Sequence, residues 1–304
     1  MNDTPAKFLP RMIFILCVVM SICLPSASSS QGVVDWWESD TLIATGYGAA
    51  QNKINSVKHN RVLAKRAAVM DAYRKLAEQA KTIRITAEKT IGSQIEAGEI
   101  SSSKIDAVIK GATVLREEYD EYNNCTVVMS VPIYGVTDSV ALAALKPAEK
   151  KDFPPPSTSD TAKGNYTGLI IDCGDLELTP VLTPVIRDAN DQSLYSFEHL
   201  DYDKVITKGM VSYVTRSSQI SAPQNFMLVS TRNLPTISIA AQKNLSRAGD
   251  NPLIIKAQRM SDDNSCPVIS AEDADKILIE NGASHFLDNG AVVFTSYRVG
   301  GLRA

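Results

Sequence analysis

The sequence predicts an α+β fold of two small domains, each with a mixed or antiparallel sheet packed against one or two helices. Three observations predict this fold. Residues 60–81 carry the strongest helical pattern of the chain, and alternating strand patterns surround them. A run rich in Pro, Lys and Ser without apolar periodicity occupies residues 141–165, which is typical of an interdomain linker. Beyond it, short strand patterns and turn residues alternate as far as Tyr297.

The composition of the chain is that of a globular protein. It has 304 residues, of which 44% are hydrophobic and 21% are charged, so there is apolar material for more than one core. The formal net charge of −3 argues against bulk attraction to nucleic acid. The sequence therefore predicts globular domains whose partners are not nucleic acids. It does not indicate the oligomeric state.

Residues 1–30 have the order of a secretory signal peptide. Lys7 and Arg11 precede the apolar run MIFILCVVMSICL, and small residues follow it. The apolar run is shorter than the ~20 residues that a membrane-spanning helix needs, and no later run approaches that length. We therefore expect cleavage near Ser28 or Ser30 and an exported protein without a transmembrane helix. The alternative is that the segment is retained as an uncleaved anchor.

The first predicted domain, residues 31–140, is built around the helix at residues 60–81. A strand over residues 41–49 precedes this helix. A short strand in TIRITAEKT, a weaker helical region and a hairpin around an Asn-Asn turn follow it. Apolar residues at helical spacing predict the face that packs on the sheet. They are Val62, Val69, Tyr73, Leu76 and Ala80.

Two glycines, Gly46 and Gly48, lie at the end of the first predicted strand. A dinucleotide-binding fingerprint would need a third glycine at position 51, where the chain has Gln51, so that interpretation fails. We interpret the two glycines as a strand end or a β-bulge.

Basic residues cluster around the start of the predicted helix. They are Lys53, Lys58, Arg61, Lys65 and Arg66. Such a cluster has two interpretations, a site for an anionic ligand or lipid headgroup, or a solvated helix end. A solvated helix end is the commoner arrangement, and it is the one that we expect.

The second predicted domain, residues 166–304, alternates short strands with turns. TGLIID predicts a buried strand, and PVIRDANDQSLY predicts a hairpin whose turn runs from Asp188 to Asp191. Further strands are predicted in GMVSYVT, PLIIKAQ, PVIS and AVVFTSY. Ser270 is expected to open a helix as its N-cap, and Gly282 is expected to end it.

Cys125, Cys173 and Cys266 remain after removal of the signal peptide. An odd number in an exported protein is compatible with one disulfide and one free thiol, whose pairing the sequence leaves open. Cys173 lies between Asp172 and Asp175, and these carboxylates oppose formation of a thiolate. We therefore expect a structural role or a disulfide for Cys173. The cysteine spacings do not resemble a zinc site.

The residue types needed for catalysis or metal binding form no recognisable pattern. His59, His199 and His285 lie far apart in the sequence and form no metal-type pair. The acidic clusters EHLDYD and SDDNS lack the calcium-loop pattern. A nucleophile elbow and a phosphate-binding loop are also absent from the sequence. The sequence therefore predicts no catalytic residue, no metal site and no cofactor, and a protein that is not an enzyme.

Several stretches resemble known families. ATGYGAA, the alanine-rich helix LAKRAAVMDAYRKLAEQAK and the closing hairpin VVMSVPIYG resemble the bacterial LPP-twenty lipoprotein family. The same arrangement is similar to the amino-terminal domain of flagellar assembly protein T. YTGLIIDCGDLELTPVLTPVIRDANDQSLY, NPLIIKAQ and ISAEDADKILIENGASHFLDNGAVVF resemble a second domain of uncharacterised exported relatives.

The resemblance implies a cell-envelope location and a non-enzymatic role, linked in some relatives to the outer membrane or the flagellar base. Many relatives carry a lipidated cysteine at the start of the mature chain. Here Leu16 and Ile22 precede the two leader cysteines, where lipid attachment needs small residues. This departure from the family pattern argues against a lipid anchor.

The expected function is that of a non-catalytic exported bacterial cell-envelope protein. It would lie in the periplasm or on the periplasmic face of the outer membrane and act by protein-protein interaction with envelope or flagellar proteins. The alternative is a periplasmic module that binds a small ligand or a polysaccharide through the second domain. A deep pocket with convergent polar groups would favour the alternative, and an exposed apolar patch would favour protein-protein interaction.

Overall fold

The computed structural model describes residues 35–50, 56–215 and 239–299. The predicted signal peptide, residues 1–30, and Lys53 of the basic cluster lie outside the described residues. Within these residues the α+β class is confirmed, because helices accompany several separate sheets. In the same part of the chain, no helix is both long enough and apolar enough to cross a membrane.

The first domain is a three-stranded antiparallel sheet with helices. In chain order its elements are α1 (Trp36–Ser39), β1 (Thr41–Gly48), α2 (Val57–Thr82), α3 (Ile91–Glu96), α4 (Ser102–Lys110), β2 (Thr113–Tyr119), β3 (Cys125–Pro132) and α5 (Val140–Ala144). The strand order is β1-β3-β2, so β3 is central and the predicted hairpin is confirmed as β2 and β3. Asn123 adopts a left-handed conformation in the hairpin turn, with φ 64°.

The prediction of a strand in TIRITAEKT is wrong. This segment contains only one isolated bridge, between Arg84 and Thr90, because the chain reverses immediately. The reversal is closed by a 2.7 Å hydrogen bond from the Ile85 N–H to the Lys89 carbonyl. The Arg84 carbonyl instead accepts a hydrogen bond from the N–H of Leu182, at 2.9 Å. A turn that short leaves too few residues for a ladder.

Helix α2 lies on the sheet through small residues. Its fully buried positions recur every four residues, which is the spacing of one helix face. They are Ala64, Ala68, Ala72, Leu76 and Ala80. The predicted face is therefore right for Leu76 and Ala80 and wrong for Val62, which is 49% exposed.

Gly46 and Gly48 explain why that face is built of alanine. A Cβ atom added at Gly46 would collide with the carbonyl oxygen of Ala68 and lie 2.6 Å from the Ala72 nitrogen. A Cβ atom added at Gly48 would collide in the same way with the Ala64 carbonyl oxygen. The pairing of β1 with β3 is regular over its whole length, so neither glycine marks a bulge. The glycines allow the backbones of strand and helix to approach.

In its described residues, the second domain contains a four-stranded parallel sheet, a small mixed sheet, a two-stranded parallel sheet, three α-helices and one 3-10 helix. In chain order its elements are β4 (Gly168–Asp172), β5 (Glu177–Leu178), β6 (Ile186–Arg187), β7 (Ser193–Tyr195), a 3-10 helix (Phe197–His199), α6 (Tyr202–Lys208), β8 (Ser212–Thr215), α7 (Ile239–Ser246), β9 (Pro252–Lys256), β10 (Arg259–Met260), β11 (Pro267–Val268), α8 (Ala271–Ser284), β12 (Val292–Ser296) and β13 (Arg298–Val299).

The main sheet of the second domain has the order β8-β12-β4-β9 and is parallel throughout. Antiparallel or mixed pairing was expected, and it is found in the first domain and in the small sheet β10-β11-β6-β7. Parallel strands need crossover connections, which here contain α6, α7 and α8. The first four residues of β4 are all buried, as is typical of a strand inside a parallel sheet.

Helix α8 begins as predicted and ends later. The Ser270 hydroxyl accepts a 3.0 Å hydrogen bond from the Asp273 N–H, which confirms the N-cap. Gly282 does not end the helix, because α8 continues to Ser284. His285 takes the left-handed terminal conformation instead, with φ 55°.

The proline-rich segment after α5 is docked on the second domain along much of its length. We call residues 146–166 the strap. Glu280 is 4% exposed, and its two carboxylate oxygens accept hydrogen bonds from the N–H groups of Lys163 and Gly164, at 2.9 and 3.0 Å. Asp275 accepts another from the Ser157 N–H at 2.6 Å. Side chains of α8 therefore hold the strap through its backbone.

The two domains share a packed boundary. Trp37 of α1 is 5% exposed and belongs to the hydrophobic core of the second domain. Leu182 of the second domain is buried in the core of the first. The Gly135 N–H also donates a 2.8 Å hydrogen bond to the Ile206 carbonyl across this boundary. The strap is thus accompanied by direct contact between the domains.

Candidate functional site

Cys173 and its neighbours lie at the carboxyl end of β4. This edge of a parallel sheet is where α/β proteins commonly bind ligands. Here the Asp172 carboxylate accepts hydrogen bonds from the Gly174 N–H, at 3.0 Å, and from the Thr295 hydroxyl, at 3.3 Å. Cys173 is 2% exposed and packs in the apolar core. These contacts shape the turn that follows β4 and place the thiol away from solvent.

The structure does not join Cys125, Cys173 and Cys266 to one another by disulfides. Cys125 is 1% exposed in the first-domain core, and burial raises the pKa of its thiol. Cys266 is partly exposed, with its sulfur 3.3 Å from the Ser265 hydroxyl. A disulfide between any two of the three stays a prediction, and any such bond would involve at least one buried thiol.

The three histidines lie in separate places. His59 is exposed in the first turn of α2, and His285 is exposed at the end of α8. His199 is 8% exposed and its ring lies 5.0 Å from the ring of Phe153 in the strap. Burial lowers the pKa of His199, while the nearby Glu198 acts in the opposite direction. The structure does not bring the histidines together.

Lowering the pH from 7 to 5 is expected to loosen the strap at Phe153. Because the folded pKa of His199 is lowered, the unfolded histidine takes up a proton first, near its ordinary value of about 6.5. The stability that neutral His199 supplies is therefore complete above that pH and is lost as the pH falls toward the folded pKa. The Lys151 N–H donates to the Glu198 carbonyl at 2.7 Å, and its hydrogen exchange, corrected for the intrinsic effect of pH, should become severalfold faster.

The matched controls for this prediction are His199→Gln and His285→Gln. The first removes the buried titrating group and should abolish the extra pH dependence. The second removes an exposed histidine and should retain it. Equal behaviour of the two variants would contradict the assignment to His199.

The acidic clusters organise local structure. Asp201 caps α6 by accepting from the Asp203 and Lys204 N–H groups, at 2.9 and 3.3 Å. Asp263 accepts from the Ser261 hydroxyl at 2.7 Å and from the Ser265 N–H at 2.9 Å. Among the residues that the structure describes, no group of three His, Cys, Asp or Glu side chains is arranged to hold a metal ion.

One pocket of the second domain lies between α6 and residues 288–290 and has a volume of about 200 Å³. The Lys204 ammonium lines it and already donates to the Asp288 carbonyl, at 3.1 Å, and to the Asn289 side chain, at 3.3 Å. Pockets for small ligands usually have roughly 300–1,000 Å³. This pocket is small, and the ammonium of Lys204 is already hydrogen bonded.

The outward side of α2 carries a row of alternating basic and apolar residues, which we call the outward row. Its members are four residues apart and all exposed: Lys58, Val62, Arg66, Met70 and Arg74. Met70 is 67% exposed, as much as any large apolar side chain among the described residues, and Val62 two turns before it is 49% exposed. Arg74 pairs with Asp71 and Glu78, at 2.8 and 2.7 Å. Lys58 and Arg66 form no ion pair with any residue in the described ranges.

The first turn of α2 carries basic side chains at a helix end that favours acidic ones. A helix amino terminus is the positive end of the helix dipole and favours acidic side chains by about 0.3–1 kcal/mol each. The first turn of α2 has no acidic residue. Lys65 is held by Glu117 at 2.6 Å, and Arg61 lies over the Tyr119 ring at 5.2 Å. Lys58 and Arg66 are exposed and make no ion pair in the ranges that the structure describes.

The sequence identified the basic cluster but not the outward row. Val62 was expected in the core, and Met70 was not singled out. The signal that could have found the row is the strict four-residue alternation of basic and apolar residues from Lys58 to Arg74.

Residues 168–296 match a family model described as the second domain of Treponema pallidum Tp0624. The matched range begins with β4 and ends with β12, the two central strands of the parallel sheet. No curated protein matches the chain. The second domain of this protein is thus similar to the second domain of Tp0624, in line with the resemblance expected for this half of the chain.

Proposed function

We propose that this protein is a non-catalytic, exported bacterial cell-envelope protein that binds another envelope protein, at the outer membrane or the flagellar base. The observation that carries the proposal is the outward row of α2, in which Met70 is exposed and Lys58 and Arg66 have no ion-pair partner among the described residues. The signal-peptide pattern supports export. The resemblance of the first domain to LPP-twenty lipoproteins and to flagellar assembly protein T supports an envelope location.

The chemistry of the outward row defines the partner. Met70 and Val62 offer apolar area whose burial is worth about 25 cal/mol per Å². Lys58 and Arg66 flank that area and would attract carboxylates, which adds specificity and speeds association at low salt. The partner therefore presents a small apolar surface bordered by Asp or Glu side chains.

Charge reversal on the row tests this function. Lys58→Glu with Arg66→Glu is expected to reduce recovery of the partner at least tenfold when the exported protein is cross-linked in the envelope and purified. The partner, identified by mass spectrometry, should then bind the purified wild-type protein more weakly as salt rises. A glutamate at position 58 lies in the first turn of α2 and complements its dipole, and Arg66 is exposed without an ion pair among the described residues, so the variant should keep its thermal stability.

The matched control is Lys104→Glu on α4. It makes the same kind of charge change at an exposed position of the same domain, away from the row. It should leave partner recovery unchanged. Equal recovery from the row variant and the wild type, or a salt-independent affinity, would contradict the proposal.

The second candidate function is binding of a small ligand or polysaccharide by the second domain. The observation that favours it is the pocket beside Lys204, where Lys208 also lies. This pocket supports ligand binding less strongly than the exposed row supports protein binding. Its volume is only about 200 Å³, and the ammonium of Lys204 is already hydrogen bonded to the Asp288 carbonyl.

A further inference from the structure

We infer that β2 is the interface between two copies of this chain, which pair antiparallel about a two-fold axis and join their three-stranded sheets. The inference concerns a different surface from the outward row of α2. Strand β2 is at one edge of its sheet and is exposed at every residue before Tyr119. Apart from pairing with β3, the backbone of residues 113–119 receives no hydrogen bond from any other described part of the chain.

The opposite edge of the same sheet is covered from within the chain. Side chains of α2 reach around β1 and bind its backbone. Lys75 donates to the Thr45 carbonyl at 2.8 Å, and Asp71 accepts from the Tyr47 N–H at 3.1 Å. One edge is therefore closed by its own helix, while the other retains free backbone donors and acceptors, which are the groups that pair with another strand.

The side chains of β2 separate onto two faces. Glu117 lies on the face toward α2, where it accepts from Lys65 at 2.6 Å and from the Tyr119 hydroxyl at 2.9 Å. Arg116 and Glu118 lie on the other face and form an ion pair at 3.2 Å. Directly opposed residues of paired strands point to the same face, so this separation limits the registers that two copies can adopt.

A two-fold axis at Glu117 makes the strand complementary to itself. It sets Arg116 of each copy opposite Glu118 of the other, so two unlike-charge pairs form on the open face. Leu115, which is 57% exposed, lies beside this segment at the irregularity of the strand. The axis also sets the two Glu117 side chains opposite each other, and each carboxylate is neutralised by Lys65 of its own copy.

Neighbouring registers lack this complementarity. An axis at Arg116 would oppose two arginines and would set Glu118 opposite Val114 of the second copy. An axis at Glu118 would oppose two glutamates that lack the lysine counterion of Glu117. The shift in pairing between Val114 and Arg116 leaves Leu115 without a partner in β3, so the regular ladder runs over residues 116–119. A closed two-fold dimer buries the same segment of both copies and leaves no further edge of this kind.

Charge reversal of each half of the complementary pair tests the interface. In Arg116→Glu alone, the new carboxylate repels Glu118 of the second copy twice per dimer; in Glu118→Arg alone, Arg116 is repelled twice. Each variant should raise the dimer dissociation constant at least tenfold, measured by native mass spectrometry and light scattering on the exported full chain. Both sites are exposed, so unfolding midpoints should stay close to that of the wild type.

Mixing the two variants is the decisive measurement. The Arg116→Glu chain presents acidic groups at both positions, and the Glu118→Arg chain presents basic groups at both. Both cross-strand pairs between these two chains are therefore attractive, and a heterodimer of mixed isotope label should form. Wild-type dimers, weakened single variants and a restored mixture support the inference. A monomeric wild type, undisturbed dimers in both variants, or a mixture without heterodimer would overturn it.

Discussion

Gly46→Ala is expected to destabilise the protein by about 3 kcal/mol or more, at or above the upper end of the usual cost of overpacking a core. The added methyl group would collide with the Ala68 carbonyl oxygen and lie 2.6 Å from the Ala72 nitrogen and 2.9 Å from its Cβ. Two of these atoms belong to the helix backbone, so no side-chain rotation relieves the contact. Helix α2 as a whole would have to move away from β1.

Urea unfolding followed by circular dichroism and tryptophan fluorescence measures this effect. Ala68→Gly is not expected to rescue Gly46→Ala, because the colliding oxygen is a backbone atom that glycine retains. Gly282→Ala is the matched control within α8, since a Cβ atom there meets nothing within 4 Å. At that exposed helical position the same substitution should stabilise the protein by up to about 1 kcal/mol. Similar losses at both glycines would contradict the explanation.

The parts of the fold that depend on local chemistry could be predicted from the sequence. The Asn-Asn turn, the strand GLIID and the Ser270 cap each rest on neighbouring residues, and the structure contains all three. The buried face of α2 depends instead on what lies across from it. Helical periodicity assigns large apolar residues such as Val62 to the buried face. The backbone of α2 approaches Gly46 so closely that the helix carries alanine, Ala68 and Ala72, at this contact.

Strand direction and strand order are also non-local. The strands near Asp172 were recognised, but their parallel arrangement follows from helical crossovers whose positions an isolated strand pattern does not contain. The edge position of β2 is of the same kind, because it results from β3 lying in the middle of the sheet. The basic residues at the start of α2 are visible in the sequence because they are neighbours along the chain. The exposed edge of β2 is visible only in the strand order of the folded sheet.

Arg247→Ala is expected to destabilise the second domain by about 3 kcal/mol, because several backbone acceptors lose a charged donor at once. The Arg247 guanidinium donates to the carbonyls of Lys208, Gly209 and Gly290, at 2.7, 2.5 and 2.6 Å. These carbonyls lie at the end of α6 and just before β12, the neighbour of β8 in the parallel sheet. One side chain therefore joins segments that approach the sheet from different parts of the chain.

Two further substitutions separate this role from that of a surface charge. Arg247→Lys keeps the charge, but its single ammonium lacks the planar fork that spans three carbonyls, so it should recover only part of the lost stability. Arg259→Ala removes an exposed arginine that pairs with Asp191 at 3.3 Å and should cost less than about 1 kcal/mol. Urea unfolding ranks the three variants, and hydrogen exchange at the Ala291 N–H locates the loss. Equal effects of Arg247→Ala and Arg259→Ala would show that the three carbonyls do not depend on Arg247.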